Sequence, residues 1–302
     1  MTSTLQAYGP ALEYFLVDVF TTTALEGNPL AVVFDTIGLA TARMQAIASE
    51  FNLSETTFVQ RRPASVEEAE GVRVRIFTTQ EELSFAGHPT LGTASVLRLA
   101  APETMHDDCI RLALNVGSVP VRFTGSDLFC EMTQPNPEFG AELDRAEVAH
   151  LTGLTGEDHD PQHAPQVVST GTAFAIVLLR SDAALARLNV RQQEATPWLR
   201  ERGARWFYVL GPTGGSQPAY RARMQFYGGE DPATGSAAGC AISYLVGHGV
   251  VASGAQIPLR QGVEMGRPSD LFLRAVLDAG RVAAVRVAGS TVPVANGRLF
   301  LP

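Results

Sequence analysis

The stretch Gly229-Glu230-Asp231-Pro232-Ala233-Thr234-Gly235-Ser236-Ala237 has a weaker copy earlier in the chain, Ala86-Gly87-His88-Pro89-Thr90-Leu91-Gly92-Thr93-Ala94. Aligning Pro232 with Pro89, 143 residues apart, also pairs Gly235 with Gly92, Ser236 with Thr93 and Ala237 with Ala94, and sets Asp231 opposite His88. A second pair of segments, Gly27-Asn28-Pro29-Leu30-Ala31-Val32-Val33 and Gly171-Thr172-Ala173-Phe174-Ala175-Ile176-Val177, repeats at 144 residues. Two matches at nearly one spacing predict two similar halves, and with only two copies the architecture is paired domains and not a solenoid.

Each copy also reads as a helix start, since proline is favoured at the first helical position and Asp just before it. The following runs, Leu91–Ala100 and Ala233–Val246, are rich in Ala, Gly, Ser, Thr and Leu and carry one charge, Arg98. A helix apolar all round is a buried one. The expected fold is therefore α+β, with two central helices, each wrapped by sheet.

At 302 residues the chain has room for two ordinary domains, and 45% apolar with 18% charged residues is a globular composition. The net charge of -8 and pI near 5.3 work against nucleic acid and anionic membranes as partners, which require dense basic patches. No apolar run reaches the roughly 18 residues of a membrane span, and the N-terminus lacks a basic region followed by an apolar core, so a cytoplasmic location is expected. Cys109, Cys130 and Cys240 are odd in number and lack CxxC spacing, which indicates neither a disulfide framework nor a zinc site. The chain contains no lysine: all 23 basic residues are arginine. That excludes a Schiff base on the protein, hence pyridoxal-phosphate enzymes and lysine-dependent aldolases, and also the phosphate loop that needs a lysine.

Along the chain, Tyr14–Phe20 and Ala31–Phe34 have strand composition on either side of the turn Glu26-Gly27-Asn28-Pro29. Met44, Ile47, Ala48 and Phe51 stand at helical spacing behind a Thr41 cap, and the helix stops near Asn52. Thr56–Gln60 and Val72–Phe77 read as strands, followed by two short strands within Ile110–Phe123 and another at Leu128–Met132. Gln134-Pro135-Asn136-Pro137 is a break suited to a domain crossing. The second half repeats the order, with helices near Arg145–Leu151 and Ala183–Leu188 and strands at Val167–Ser169, Phe174–Leu179, Trp206–Val209, Arg221–Tyr227, Leu271–Val276 and Val282–Val287. Thr291–Phe300 is expected to return as a strand to the first domain. Crossings then fall near residues 125–137 and 285–292, giving an N-terminal domain of 1–130 plus 288–302 and a C-terminal domain of 131–287.

Several residues stand out chemically. Glu55 sits at the mouth of its strand, whereas the counterpart Trp206–Val209 is preceded by Ala204-Arg205, so a carboxylate is present in one half only; a solvated loop acid fits that placement equally. His88 could be a core histidine and Asp231 a helix cap, but His is a poor cap, so capping alone does not explain the pair. Ser236 and Thr93 suit either ligand binding or close helix packing. Helix N-termini near Gly92-Thr93 or Gly235-Ser236 are candidate carboxylate sites. The GHPT and DPATG turns lack the GxGxxG spacing of dinucleotide sites. His159 and His163 with Asp158 and Asp160 read as a surface loop and not a metal site, so no metal or other cofactor is expected.

Five stretches in order resemble the PhzF-like family, the phenazine-biosynthesis isomerase and its relatives: VDVFTTTALEGNPLAVV at 17–33, EFNLSETTFV at 50–59, AGHPTLGTA at 86–94, GEDPATGSAAG at 229–239 and QGVEMGRPS at 261–269. The resemblance implies a diaminopimelate-epimerase-like fold of two pseudo-symmetric domains, each a β-barrel around one central α-helix, with the active site between them. It implies that Glu55 transfers the proton, that His88, Asp231 and Ser236 surround the substrate, and that the Gly87 backbone also lies in the site; Gly235 belongs to the same turn. It further implies a homodimer. Cysteine-dependent epimerases of this fold place two facing thiols where this chain has Gly87-His88 and Glu230-Asp231, which disfavours a two-thiol racemase. The expected function is a cofactor-independent isomerase that moves a proton on a small carboxylated substrate resembling trans-2,3-dihydro-3-hydroxyanthranilate. An amino-acid epimerase of the same fold and a non-catalytic small-ligand binding protein are the alternatives.

Overall fold

The computed structural model describes residues 11–125, 127–217, 219–226 and 229–301. The expected strand end at Tyr227 and the outer limits of the two expected domains, Met1 and Pro302, lie outside the described residues.

Strands pair edge to edge in two runs of eight. The first is Thr291–Phe300, Ala11–Val19, Asn28–Val33, Glu55–Gln60, Val72–Phe77, Cys109–Leu114, Gly117–Phe123 and Cys130–Thr133. The second is Glu138–Glu142, Gln166–Ser169, Ala173–Leu178, Trp206–Pro212, Tyr220–Arg223, Ile257–Gln261, Ser269–Asp278 and Arg281–Gly289. In both runs the third and fourth strands are parallel, as are the fifth and sixth, and the other neighbours are antiparallel. The runs join where Cys130–Thr133 pairs with Arg281–Gly289. The duplication visible in two short matches thus extends through the strand pairing.

Parallel neighbours require crossovers, and the crossovers carry helices. Thr41–Phe51 and Gln192–Glu201 link the third strand to the fourth; Gly87–Ala100 and Gly235–Gly247, the two central helices, link the fifth to the sixth. Residues 29–33 and Ala173–Leu178, each beside a parallel neighbour, are continuous apolar runs buried almost throughout. Ser269–Asp278, antiparallel on both sides, instead alternates inward and outward residues over most of its length.

Every residue from Gly87 to Leu97 and from Gly235 to Val246 is buried. Small residues allow the strands to close on these helices: a Cβ at Gly92 would lie 2.6 Å from Leu30 Cδ2 and 2.7 Å from Val19 Cγ2. Leu91, Leu97, Ile242 and Leu245 share one continuous core with strands of both runs.

Helix starts depart from the sequence expectation. The first central helix begins at Gly87 and not Leu91, with Pro89 in its first turn, where a missing N–H breaks no helical bond. The second begins at Gly235, after Pro232, and the residue before it is Thr234. Asp231 is therefore not its cap; the Thr234 N–H donates to Gln261 Oε1 at 3.1 Å. Thr41 is likewise the first helical residue, and Ala40 precedes it. Its C-terminus is as read, with Asn52 left-handed at φ 51° and its N–H donating to the Ala48 carbonyl. The Gln192–Glu201 helix escaped the sequence reading because Pro197 stands inside it, and an internal proline ordinarily ends a helix.

Candidate active site

Glu55 opens its strand beside Leu30, and in the second run Trp206 opens the equivalent strand beside Phe174. Because Leu30 and Phe174 are partners in the 144-residue repeat, Trp206 occupies the place of Glu55. One half supplies a carboxylate there and the other an indole. His88 is the second residue of the first central helix, and Asp231 precedes the second. All three are buried, with Glu55 at 9%, His88 at 2% and Asp231 at 3% of full exposure.

The structure brings them together. His88 Nε2 lies 3.5 Å from Glu55 Oε2. Asn28 Nδ2 reaches Asp231 Oδ1 at 2.7 Å, the Ala233 carbonyl at 2.8 Å and His88 Nδ1 at 3.1 Å. Thr234 Oγ1 donates to Asp231 Oδ2 at 2.7 Å. Behind this group, Gln261 Nε2 donates to the Asp231 carbonyl at 2.8 Å and Tyr208 donates to Gln261 Oε1 at 2.9 Å. Gly87 and Gly235 put the starts of the central helices in contact: a Cβ on Gly87 would fall 2.4 Å from the Gly235 carbonyl carbon and 2.5 Å from Ser236 N. Two positive helix ends therefore meet beside the buried acids.

Burial sets the electrostatics. It pushes the Glu55 carboxyl well above the usual carboxylate range; the Asp231 charge adds to the rise and Arg205 opposes it. Arg205 itself pairs with Glu81. Burial raises Asp231 to about 6 against hydrogen bonds from Thr234, Asn28 and Ser54, and pulls His88 down to about 3. The imidazole is thus neutral, and its contact with Glu55 is not an ion pair.

These raised carboxyls predict an inverted pH dependence of stability. The unfolded chain releases both protons near pH 4, while the folded chain holds that of Asp231 to about 6 and burial holds that of Glu55 well above the usual carboxylate range. Between those limits the folded state binds more protons, so their contribution to stability falls as pH rises. Glu55→Gln is expected to melt above the wild type at pH 8, with the gap closing toward pH 4; equal melting temperatures at both pH values would show that Glu55 bears no desolvation cost.

Other candidates lie apart from this cluster. Thr93 is inside the first central helix with its hydroxyl 2.8 Å from that of Thr57, and Gly92 faces the strands, so neither stands at a helix terminus. Burial pushes the Cys240 thiol up to about 12, and Sγ lies 3.4 Å from Thr170 Oγ1, an inert packing role. His159 is buried, not on the surface, although its loop is polar; among the described residues no three metal-ligating side chains converge. Sequence reading missed Asn28, Ser54, Thr234 and Gln261 as members of the cluster. Their only signal was membership in the quoted motifs.

Buried carboxyls with raised pKa values beside a neutral imidazole, at the contact of two similar halves, are groups chemically able to give and take protons. The chain belongs to the phenazine biosynthesis-like protein family (PhzC-PhzF), which it matches over residues 17–297. It is 37% identical over 294 residues to the trans-2,3-dihydro-3-hydroxyanthranilate isomerase of Pseudomonas aeruginosa, covering 95% of this chain and 99% of that protein. A solved structure described as a predicted epimerase from P. aeruginosa is 33% identical with a TM-score of 0.80, covering 96% of this chain and all of that one. A Bacillus anthracis phenazine biosynthesis protein of the PhzF family, 24% identical, shares the fold at a TM-score of 0.83, covering 97% of this chain and 100% of that one. The protein is a PhzF-like isomerase.

Proposed function

We propose that the protein catalyses a cofactor-independent proton shift on a small cyclic carboxylate of the trans-2,3-dihydro-3-hydroxyanthranilate type, with Glu55 as both proton acceptor and donor. The observation that carries this reading is the pairing of Glu55 Oε2 with His88 Nε2: both atoms are buried, they face each other at 3.5 Å, and neither has a hydrogen-bond partner among the described residues. A carboxyl whose pKa is raised toward neutrality can give and take a proton with little driving force in either direction. His88 and Asp231 then flank the substrate. The substrate carboxylate binds where the central helices meet, at Gly87, Gly235 and Ser236, because unpaired N–H groups at helix starts attract anions.

The repeated strand pairing supports two barrel domains, residues 1–130 plus 288–302 and residues 131–287, each closed around its central helix, with the site between them. The family resemblance supports a homodimer acting in the cytoplasm; no described helix is long and apolar enough to cross a membrane. An epimerase working through paired thiols is not favoured, because Cys240 is buried within its helix and Cys130 is buried against Ser95.

Incubation with trans-2,3-dihydro-3-hydroxyanthranilate in deuterated buffer containing a chelator tests the reading. Deuterium is expected to enter the substrate skeleton without inversion of configuration. Inversion would make the protein an epimerase, and no exchange with any candidate carboxylate would make it a binding protein.

A further inference from the structure

Asn28 is fully buried, and its amide nitrogen lies 2.7 Å from Asp231 Oδ1, 2.8 Å from the Ala233 carbonyl oxygen and 3.1 Å from His88 Nδ1. Turning the amide over would press its oxygen against two other oxygens at 2.7 and 2.8 Å, so the nitrogen must point this way. An amide nitrogen carries two protons and offers no lone pair. A proton on His88 Nδ1 would therefore be directed at a nitrogen that cannot accept it, which leaves Nδ1 unprotonated and puts the one proton of the neutral ring on Nε2, directed at Glu55 Oε2. The opposite tautomer would set N–H against N–H at Asn28 and turn a lone pair toward the Glu55 carboxyl.

We infer that Asn28 is a positioning residue that fixes the Nε2–H tautomer of His88 and ties that ring to Asp231, so that a donor is aimed at Glu55 whenever Glu55 is ionised. The catalytic part of this inference rests on the proposed role of Glu55. When Glu55 gives its proton to the substrate, its new carboxylate meets a hydrogen-bond donor already in place; a small approach from 3.5 Å brings the pair into hydrogen-bonding range. When Glu55 takes a proton back, the same donor is released without any rearrangement of the ring. Asn28 comes from the third strand of the first run, His88 from the first central helix and Asp231 from the turn before the second. One amide thus holds groups from both halves in register.

Nitrogen NMR of the 15N-labelled histidine ring, with the His88 signals identified by their loss in His88→Gln, reads the tautomer without any substrate. The wild type is expected to show neutral Nε2–H through neutral pH. Asn28→Ala and Asn28→Leu, which both remove the amide opposite Nδ1, the second while keeping most of the volume, are expected to populate the Nδ1–H form. In turnover assays either variant should lower kcat, by up to about a hundred-fold where the ring is misplaced by about 1 Å, with KM little changed because Asn28 is enclosed by protein. A wild-type Nδ1–H tautomer, or an Nε2–H tautomer untouched in both variants, overturns the assignment. Because the spectra need no turnover, an intact tautomer effect in a protein that exchanges no deuterium would locate the failure in the Glu55 reading and not at Asn28.

Discussion

Replacing Glu55 with Gln is expected to lower turnover by at least about a hundred-fold and up to about ten-thousand-fold, the contribution typical of a positioned acid–base group. Burial shifts Glu55 toward its uncharged form. The neutral amide keeps the shape and polarity of that form while removing the proton that can be exchanged. Substrate affinity should change little, and solvent deuterium should no longer enter the substrate. Steady-state kinetics with a binding titration separate these outcomes. A variant that keeps most of its activity would make Glu55 a bystander and shift the search for the proton carrier to Asp231, the second carboxyl of the cluster, which burial pushes up to about 6.

Gly87→Ala should damage both stability and activity although it adds a single methyl group. The added Cβ would meet backbone on the other half, 2.4 Å from the Gly235 carbonyl carbon and 2.5 Å from its Cα, and no side-chain rotation can relieve that overlap. The starts of the central helices must separate. Overpacking of this kind costs about 1–3 kcal/mol and occasionally more, which at no more than roughly 2 °C per kcal/mol for a chain longer than 250 residues is a loss of a few degrees in melting temperature. The same separation displaces His88, the next residue, from Glu55, and about 1 Å of misplacement can cost about a hundred-fold in rate. Gly156→Ala, where an added Cβ meets nothing within 4 Å, is the control and should change neither property. Unchanged melting and turnover in Gly87→Ala would mean that the contact between the two helix starts is not required.

The duplication, the burial of the two central helices and most of the strands were legible in the sequence, because each is written in local order. Small apolar residues without charge specify a helix that must be covered, and two short matches at nearly one offset indicate that the cover is built twice. The asymmetry that singles out Glu55 was legible for the same reason: the repeat shows where a second carboxylate would be, and the strand register puts Trp206 there. Local order also misled. Pro89 and Pro232 look equivalent, yet one lies inside a helix and the other before it, since a proline is compatible with either place and only packing at Gly87 and Gly235 decides where each helix begins. Asp231 has the sequence of a cap but bonds the Thr234 hydroxyl and the Asn28 amide. Asn28 reads as a turn residue and is in fact the junction of the cluster. The sequence by itself determined the twofold architecture, the absence of lysine chemistry and the identity of Glu55, His88 and Asp231 as candidates. Only the tertiary structure decided that these side chains meet, that the Asn28 amide faces His88 Nδ1, and that burial raises both carboxyls, because proximity and desolvation are imposed by segments far away in the chain and leave no trace in the residues beside them.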